Sequence, residues 1–439
     1  MDSTEWKHEL VRFSLLFASL LCMGTWPAVL DQYPIQHISP SDNSVRRAAY
    51  HRSICNVQLD LVTSFFLVSL MPFVIAMITA AKSTDLLSGL RSPAIVITAV
   101  AAGFLMALGQ LSMQWNVPVY GPVLPVARAI QLSVAVSLAT VANNQLQASM
   151  TGNIGFLMLG VVLLFVGNVA FSGTQRLVEQ NESLLPGSDS HLQSGSKAGK
   201  RNNEDRQLPG TKAMEIDDTE SPTEAMTTEH SEDPLVSRSL TEHKPAQKRD
   251  ATIWELLTAV SSGIWLGLFP VAFNIAVNDP FEWSGSRWRT AGDALCVAQI
   301  NALFAFGYWL TSFIGNLIRL HLQIGNENRL ESPVSRALRE FFGKESFSNS
   351  GQWAALAGMV FAFGIVLQFQ GGKILGYATA ELVQAWPMVY SLWTILLFPD
   401  DGTTQCFSWL AFWYFTLFLA YLAGLACFVC SRLFSELPF

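Results

Sequence analysis

Residues 351–398 read GQWAALAGMVFAFGIVLQFQGGKILGYATAELVQAWPMVYSLWTILLF, and this stretch decides the fold class. Two apolar runs flank Gly371-Gly372-Lys373, where we predict a break between two helices. The second run carries Glu381 deep inside a segment that is long enough to lie in lipid. An acidic side chain at that depth is rare and is typical of a transport or ion site.

The first half of the chain contains a diverged copy of this stretch. Five Ala and Gly residues recur at a constant offset of 255 positions. A duplicated membrane unit with polar groups at depth is the usual plan of a secondary transporter. The matching pairs are Ala102 and Ala357, Gly103 and Gly358, Ala107 and Ala362, Gly109 and Gly364, and Gly121 and Gly376.

The composition also indicates a polytopic membrane protein. Half of the 439 residues are hydrophobic and only 14% are charged, whereas soluble proteins have about a quarter charged residues. The apolar residues fall into blocks of about 20, the length that crosses the hydrocarbon core. The net charge of −7 comes largely from one loop, so we read no charged partner surface and no nucleic-acid partner from it.

Ten apolar blocks predict ten transmembrane helices, five before a long middle segment and five after it. Because five is odd, the two copies enter the membrane from opposite sides. The sequence therefore predicts an all-α membrane protein with a 5+5 inverted repeat, its copies at 1–173 and 251–439. The predicted spans are 12–30, 59–80, 93–113, 118–140, 153–173, 253–277, 293–320, 351–370, 373–398 and 405–432.

The middle segment, residues 174–250, has a different composition. It contains no Phe, Trp or Tyr and is rich in acidic, Ser, Thr and Lys residues, which predicts a disordered acidic loop. Eighteen Lys and Arg residues lie on the face of this loop and eight on the opposite face. The bias predicts a cytosolic loop. The sequon Asn181-Glu182-Ser183 tests this side assignment, because glycosylation there would reverse it.

Two ionisable residues inside the predicted spans are the main candidates for function. Glu381 and Arg128 lie in repeat-related helices, and Gln384 and Gln131 follow them by three residues on the same helix faces. One hypothesis is that Glu381 and Arg128 pair when the site is empty and that Glu381 takes up a proton as substrate binds. The competing interpretation is a permanent ion pair that holds two helices together.

Amides and aromatic residues near these positions suit a flat, polar, uncharged ligand. Gln114 and Gln368 are predicted to end the preceding helices, and an amide complements the edge of a cyclic amide or urea. Trp26, Trp386 and Phe369 could stack on such a ring. For each aromatic residue, lipid contact or helix packing is the competing interpretation.

A second set of residues suits gating or helix structure. Gly24 and Pro27 in the first span are echoed by Gly267 and Pro270 in the sixth, a pattern that permits kinks and close helix approach. Asn274, Asn278 and Asp279 close the sixth span, where we expect helix capping or a gate.

We find no sequence signal for a catalytic site, a metal site or a cofactor. Cys427 and Cys430 form an isolated pair near the end of a span, where packing or palmitoylation is expected. The stretch 195–201 reads GSKAGKR, one residue short of a phosphate-binding loop.

Several longer stretches resemble the ureide permeases, a branch of the drug/metabolite transporter superfamily. The resemblance implies a drug/metabolite transporter-like fold and proton-coupled uptake of allantoin, uracil and related oxo-heterocycles. It aligns Glu381 and Gln384 with the family's acidic residue and following glutamine. The similar stretches are GTWPAVL at 24–30, QLD at 58–60, GQLSMQ at 109–114, PVAFNIAVND at 270–279, LQFQGG at 367–372 and GYATAELVQAWP at 376–387.

The leading prediction is a carrier for cyclic amides and ureides, with protons and the lipid bilayer as further partners, and the plasma membrane favoured over an internal membrane. One alternative is a carrier for nucleotide sugars or another small polar metabolite on an internal membrane. A membrane enzyme and a non-transporting scaffold that displays the middle segment are further alternatives. The oligomeric state is open.

Overall fold

The computed structural model describes residues 3–31, 43–79, 92–116, 124–146, 153–184, 248–283, 293–324, 349–397 and 407–434. Within these ranges the secondary structure is entirely helical. The described residues within 1–181 and 252–439 form one compact unit. The helices are α1 Ser3–Asp31, α2 Asn43–Thr79, α3 Pro93–Asn116, α4 Leu124–Leu146, α5 Ile154–Leu184, α6 Lys248–Asn278, α7 Asp293–Ile324, α8 Asn349–Leu375, α9 Tyr377–Ala380, a 3₁₀ segment Glu381–Ala385, α10 Trp386–Leu397 and α11 Phe407–Leu433.

Eight of the described helices are long and apolar enough to cross a membrane, whereas the sequence predicts ten spans. The eight are α1, α2, α3, α5, α6, α7, α8 and α11. Helix α4, which lies in the predicted fourth span, is not among the eight, and the side chains at its start lie outside the described residues. The predicted ninth span falls short because its chain divides into α9, the 3₁₀ segment and α10. The outer surface carries many exposed large apolar residues, such as Leu21, as expected for contact with lipid.

Helix α5 continues beyond the predicted boundary of the middle segment. It runs to Leu184, whereas the sequence analysis begins the disordered loop at residue 174. Residues 175–184 contain no Gly or Pro, and the first helix-breaking residue is Pro186. The predicted loop between 185 and 247 lies outside the described residues.

The helices of the two halves pack against one another through close contacts. Helix α8 packs against α1 and α2, and α7 packs against α2 and α3. The Ser19 hydroxyl on α1 donates a hydrogen bond of 2.6 Å to the Gly364 carbonyl on α8. The Ser262 hydroxyl on α6 donates one of 2.5 Å to the Gly109 carbonyl on α3. Each bond therefore joins one half of the chain to the other.

The break in the decisive stretch lies at Gly376, and the prediction of a break at Gly371-Gly372-Lys373 is wrong. Helix α8 runs through all three residues to Leu375. Gly371 instead accommodates the side chain of Leu16. Gly376 has φ 96° and ψ 137°, a conformation that is essentially restricted to glycine, so the helix ends here.

We expect Gly376→Ala to destabilise the protein by about 1–3 kcal/mol, because an L-residue is strained at this φ. The measurement is the thermal unfolding of the detergent-solubilised protein. Gly155→Ala is the matched control, because Gly155 is an exposed helical glycine in the first turn of α5. An unfolding temperature for Gly376→Ala equal to that of the control would contradict the assigned backbone conformation.

Candidate functional site

The turn after α8 places an irregular segment inside the helix bundle. The Gly376 amide donates to the Gly372 carbonyl at 2.9 Å, and the Ala380 amide donates to the Gly376 carbonyl at 3.1 Å. The ring of Tyr377 packs against Gly372. Residues 375–383 are all buried. The segment is therefore enclosed by protein, which is the condition for irregular backbone at membrane depth.

Glu381 is the first residue of the 3₁₀ segment, and only 1% of its surface is exposed. The 3₁₀ segment packs against α1, α4 and α11. Neither carboxyl oxygen makes a hydrogen bond of acceptable geometry to any described residue. The Gln384 side chain lies near the carboxyl group, but without the geometry of a hydrogen bond. A buried acid without a fixed partner among these residues is suited to bind a ligand or a proton.

Arg128 and Gln114 were also predicted at this site, but their side chains lie outside the described residues. The backbone of Arg128 belongs to α4, which packs against α9 and the 3₁₀ segment. The two elements that carry Arg128 and Glu381 are thus neighbours. Gln114 belongs to the last turn of α3, near the helix end that the sequence analysis predicts.

The remaining predicted ligand-binding residues differ in how their polar groups are used. The Gln131 Nε2 donates a hydrogen bond of 2.7 Å to the Ser262 hydroxyl, so this amide links α4 to α6. Gln368 is buried inside α8 instead of ending it, and its Oε1 has no partner among the residues described. Trp26 is partly buried, and its ring centroid lies 5.0 Å from that of Phe361.

Two of the aromatic residues predicted to stack on a ligand contact other protein rings. Phe369 is completely buried and stacks on Phe273, with ring centroids 3.3 Å apart and an interplanar angle of 12°. Trp386 lies edge-on to Tyr390, with centroids 6.4 Å apart. In this conformation the packing interpretation describes Phe369 better than ligand stacking does.

The predicted gating residues lie at helix contacts and at one helix end. Gly24 packs against Trp386 and Val389 on the segment that follows Glu381. Pro27 lies inside α1 and Pro270 lies inside α6, and both helices continue through their proline.

Asp279 follows the end of α6 and is almost completely buried. Its backbone has φ 42°, and its Oδ1 accepts a hydrogen bond of 2.8 Å from the Trp283 amide. The Asp279 side chain therefore stabilises the turn after α6, and the Asp279 backbone amide closes the helix end by donating to the Ile275 carbonyl at 2.9 Å.

A chain of buried amides is the feature that the sequence analysis missed. The Lys373 Nζ donates to Asn278 Oδ1 at 2.8 Å, Asn278 Nδ2 donates to Asn274 Oδ1 at 2.5 Å, and Asn274 Nδ2 donates to Asn143 Oδ1 at 2.9 Å. The chain joins α8, α6 and α4. The sequence analysis places Lys373 in a break between two helices, whereas it lies inside α8. The available signal was Asn274 inside the apolar sixth span, since Asn143 lies just beyond the predicted fourth span.

A second polar group joins the fifth and last helices. The Tyr421 hydroxyl donates to Asn168 Oδ1 at 2.5 Å, and Asn168 Nδ2 donates to the Ser133 hydroxyl at 3.2 Å. Ser133 in turn donates to the Ala129 carbonyl of its own helix. This group is internally satisfied and serves to hold α4, α5 and α11 together. Across the described ranges no three His, Cys, Asp or Glu side chains gather to hold a metal ion.

Comparison with known proteins identifies the family. Residues 59–428 match the family described as Ureide permease. The chain is 28% identical over 399 residues to Ureide permease 4 of Arabidopsis thaliana, and this alignment covers 88% of each protein. It is 26% identical to Ureide permease 2 of the same plant, again over 88% of each.

A relative from a second plant extends this comparison. The Probable ureide permease A3 of Vigna unguiculata is 26% identical over 88% of this chain and 94% of its own length. No solved structure gives a significant match. The family match covers most of the chain and includes the Gly376 turn, Glu381 and the amide chain. The protein therefore belongs to the ureide permease family and is a multi-pass integral membrane transporter.

Proposed function

We propose that the protein is a secondary active transporter that imports ureides and oxo derivatives of nitrogen heterocycles, such as allantoin and uracil, together with protons. The observation that carries this proposal is the buried Glu381, whose carboxyl group has no fixed partner among the described residues. A carboxyl group in a spanning segment that can gain and lose a proton couples proton movement to substrate movement. The relatives' names support transport of ureides over the alternative of nucleotide sugars.

We further propose the ten-helix, 5+5 inverted repeat of the drug/metabolite transporter type, with copies at 1–173 and 251–439. In such a repeat α6 corresponds to α1 and α8 corresponds to α3. The two serine–glycine hydrogen bonds fit this correspondence. Ser19 of α1 bonds Gly364 of α8, and Ser262 of α6 bonds Gly109 of α3. Exchanging the first half of the chain with the second therefore converts each of these two bonds into the other.

Glycine contacts support the same exchange for the fourth helix of each copy. Gly24 of α1 packs against the β-carbon of Val389, and Gly267 of α6 packs against the β-carbon of Leu138. This correspondence pairs Leu138 with Val389, an offset of 251 positions. The five Ala and Gly pairs of the sequence analysis are instead 255 positions apart. The difference of four residues is about one helical turn. We place this shift at the irregular segment of the second copy.

The substrate site in this proposal is formed by both copies. Glu381 and Gln384 come from the second copy, and Arg128 and Gln131 come from α4 of the first. We propose that Arg128 pairs with Glu381 in the empty carrier and that protonation of Glu381 releases this pair when substrate binds. Trp26, Gln114 and Gln368 complete the proposed substrate site, and Gly24, Pro27, Pro270, Asn274 and Asp279 are the proposed gating and structural residues.

We expect yeast that expresses the protein to take up labelled allantoin or uracil, and to do so faster at acidic external pH. A larger inward proton gradient increases the driving force for a proton symporter. Uptake is measured at two external pH values and scaled to the amount of protein at the cell surface. Absence of uptake for both compounds, with normal surface expression, would contradict the proposed substrate class.

We expect Glu381→Gln to reach normal abundance while losing uptake, or the pH dependence of uptake, because glutamine keeps the shape but cannot exchange a proton at this pH. Glu282→Gln is the matched control: it makes the same chemical change in the exposed turn after α6. If Glu381 serves only a structural ion pair, the variant will instead show reduced abundance and a lower unfolding temperature.

We propose that the segment 174–250 faces the cytosol and that the protein lies in the plasma membrane. The expected result is that Asn181 remains unglycosylated in a eukaryotic host, because glycosylation occurs on the opposite side of the membrane. A sequon introduced in the loop between α2 and α3 is the positive control. Enzymatic deglycosylation followed by gel mobility measures both, and modification of Asn181 would reverse the orientation.

A further inference from the structure

Helix α4 carries three polar atoms that have no hydrogen-bond partner among the described residues. They are Thr140 Oγ1, Asn143 Nδ2 and Asn144 Oδ1. Thr140 and Asn143 are completely buried, and Asn144 is partly buried. Buried polar atoms in native proteins are nearly always hydrogen-bonded. Three such atoms so close together on one helix therefore indicate that something else supplies their partners.

The spacing of these residues brings their side chains onto the same side of α4. Asn143 and Asn144 follow Thr140 by three and four positions, so each is its neighbour on the helix surface, with β-carbons about 5–6 Å apart. Together they offer a hydroxyl, an amide donor and an amide acceptor. The three groups therefore form one polar cluster on α4.

The direction of the amide chain strengthens the donor among these groups. Every bond from Lys373 through Asn278 and Asn274 donates toward Asn143, and Asn143 accepts the last bond through its Oδ1. The Asn143 Nδ2 is therefore the terminal donor of a chain that begins at an ammonium group. Successive hydrogen bonds polarise one another, so a terminal donor of this kind favours a strong acceptor such as a carbonyl oxygen.

We propose that Thr140, Asn143 and Asn144 form a subsite for the –CO–NH– edge of a neutral cyclic amide. Asn143 Nδ2 donates to the ring carbonyl oxygen, Asn144 Oδ1 accepts from the adjacent ring N–H, and the Thr140 hydroxyl bonds a neighbouring polar atom of the ring. This inference rests on the proposed function, because the ligand is the substrate of the carrier. It assigns recognition of the –CO–NH– edge of the substrate to residues of α4.

The position of α4 in the bundle is compatible with this role. Helix α4 packs against α9 and against the 3₁₀ segment that begins at Glu381. The first half of the chain thus supplies recognition of the amide edge, and the second half supplies the acid. The subsite contains one neutral donor, one neutral acceptor and one hydroxyl, so it selects an uncharged ring instead of a phosphate-bearing ligand.

Two nearly isosteric variants test the subsite. Asn143→Asp keeps the oxygen that accepts from Asn274 and replaces the terminal amide donor with an acidic oxygen, and Thr140→Val replaces the hydroxyl with a methyl group. Ser137→Ala is the matched control, because the Ser137 hydroxyl donates to the Ser133 carbonyl of its own helix at 2.7 Å. The measurement is the KM and the maximal rate of uptake of labelled uracil and allantoin, scaled to surface protein.

We expect Asn143→Asp to raise the KM about tenfold and Thr140→Val about threefold, the range for loss of one hydrogen bond. Ser137→Ala should keep the KM of the unmodified protein. A KM within twofold of normal for both test variants overturns the proposal, and so does an equal rise in the control. If the unmodified protein transports neither uracil nor allantoin, the proposed function fails. Uptake by the unmodified protein therefore distinguishes failure of the proposed function from failure of the proposed subsite.

A competition experiment tests the same contact without relying on the stability of a variant. Uracil is compared with analogues in which sulfur, a weaker acceptor, replaces one ring carbonyl oxygen. We expect at least one analogue to compete about tenfold less well for the unmodified protein, and Asn143→Asp to lose that difference. Equal competition by uracil and all the thio analogues in the unmodified protein overturns the proposal.

Discussion

The structure depends on one constraint of the bilayer, which is that backbone polar groups at membrane depth must find partners within the protein. The turn at Gly376 and the 3₁₀ segment after it depart from the regular α-helical pattern. They are tolerated because α1, α4 and α11 surround them. The surrounding helices therefore hold Glu381 in place, and a change in their packing also changes the environment of the acid.

Close contacts between small residues hold these helices together. Lipid chains are as apolar as leucine, so helices in a membrane associate through tight packing and interhelical hydrogen bonds. Gly103 lies against the Phe304 carbonyl of α7, and Gly358 lies against the Leu61 carbonyl of α2. Both contacts cross between the halves of the chain. A relative movement of the halves would have to rearrange these contacts.

The membrane class and most helices could be predicted because each apolar block contains its own signal. The position of the break could not, because small residues serve two different purposes in this stretch. Gly371 makes room for Leu16 inside an unbroken helix, whereas Gly376 supplies a positive φ. The local sequence does not distinguish a glycine that permits close helix packing from a glycine that adopts a positive φ and ends a helix. Glu381 was recognised because an acid stands out in an apolar run, whatever its neighbours are.

Partners that are distant in the sequence could not be predicted from local patterns. Asn274 and Asn143 are 131 positions apart, and only the folded chain shows that their amides meet. In the proposed repeat the paired Ala and Gly residues are 255 positions apart, whereas the contacts of α4 and α10 pair residues 251 apart, so the sequence offset alone does not align Arg128 with Glu381.

The polarity of α4 connects these observations. A helix with this many polar side chains is costly in lipid unless protein or a ligand satisfies them. Near its beginning, Gln131 bonds Ser262 and Ser133 bonds Asn168, so protein satisfies those groups. Near its end, Thr140 and Asn143 retain polar atoms that no described residue satisfies. Helix α4 thus divides into a first part whose polar groups are satisfied by other helices and a last part that carries buried polar atoms without a partner among the described residues.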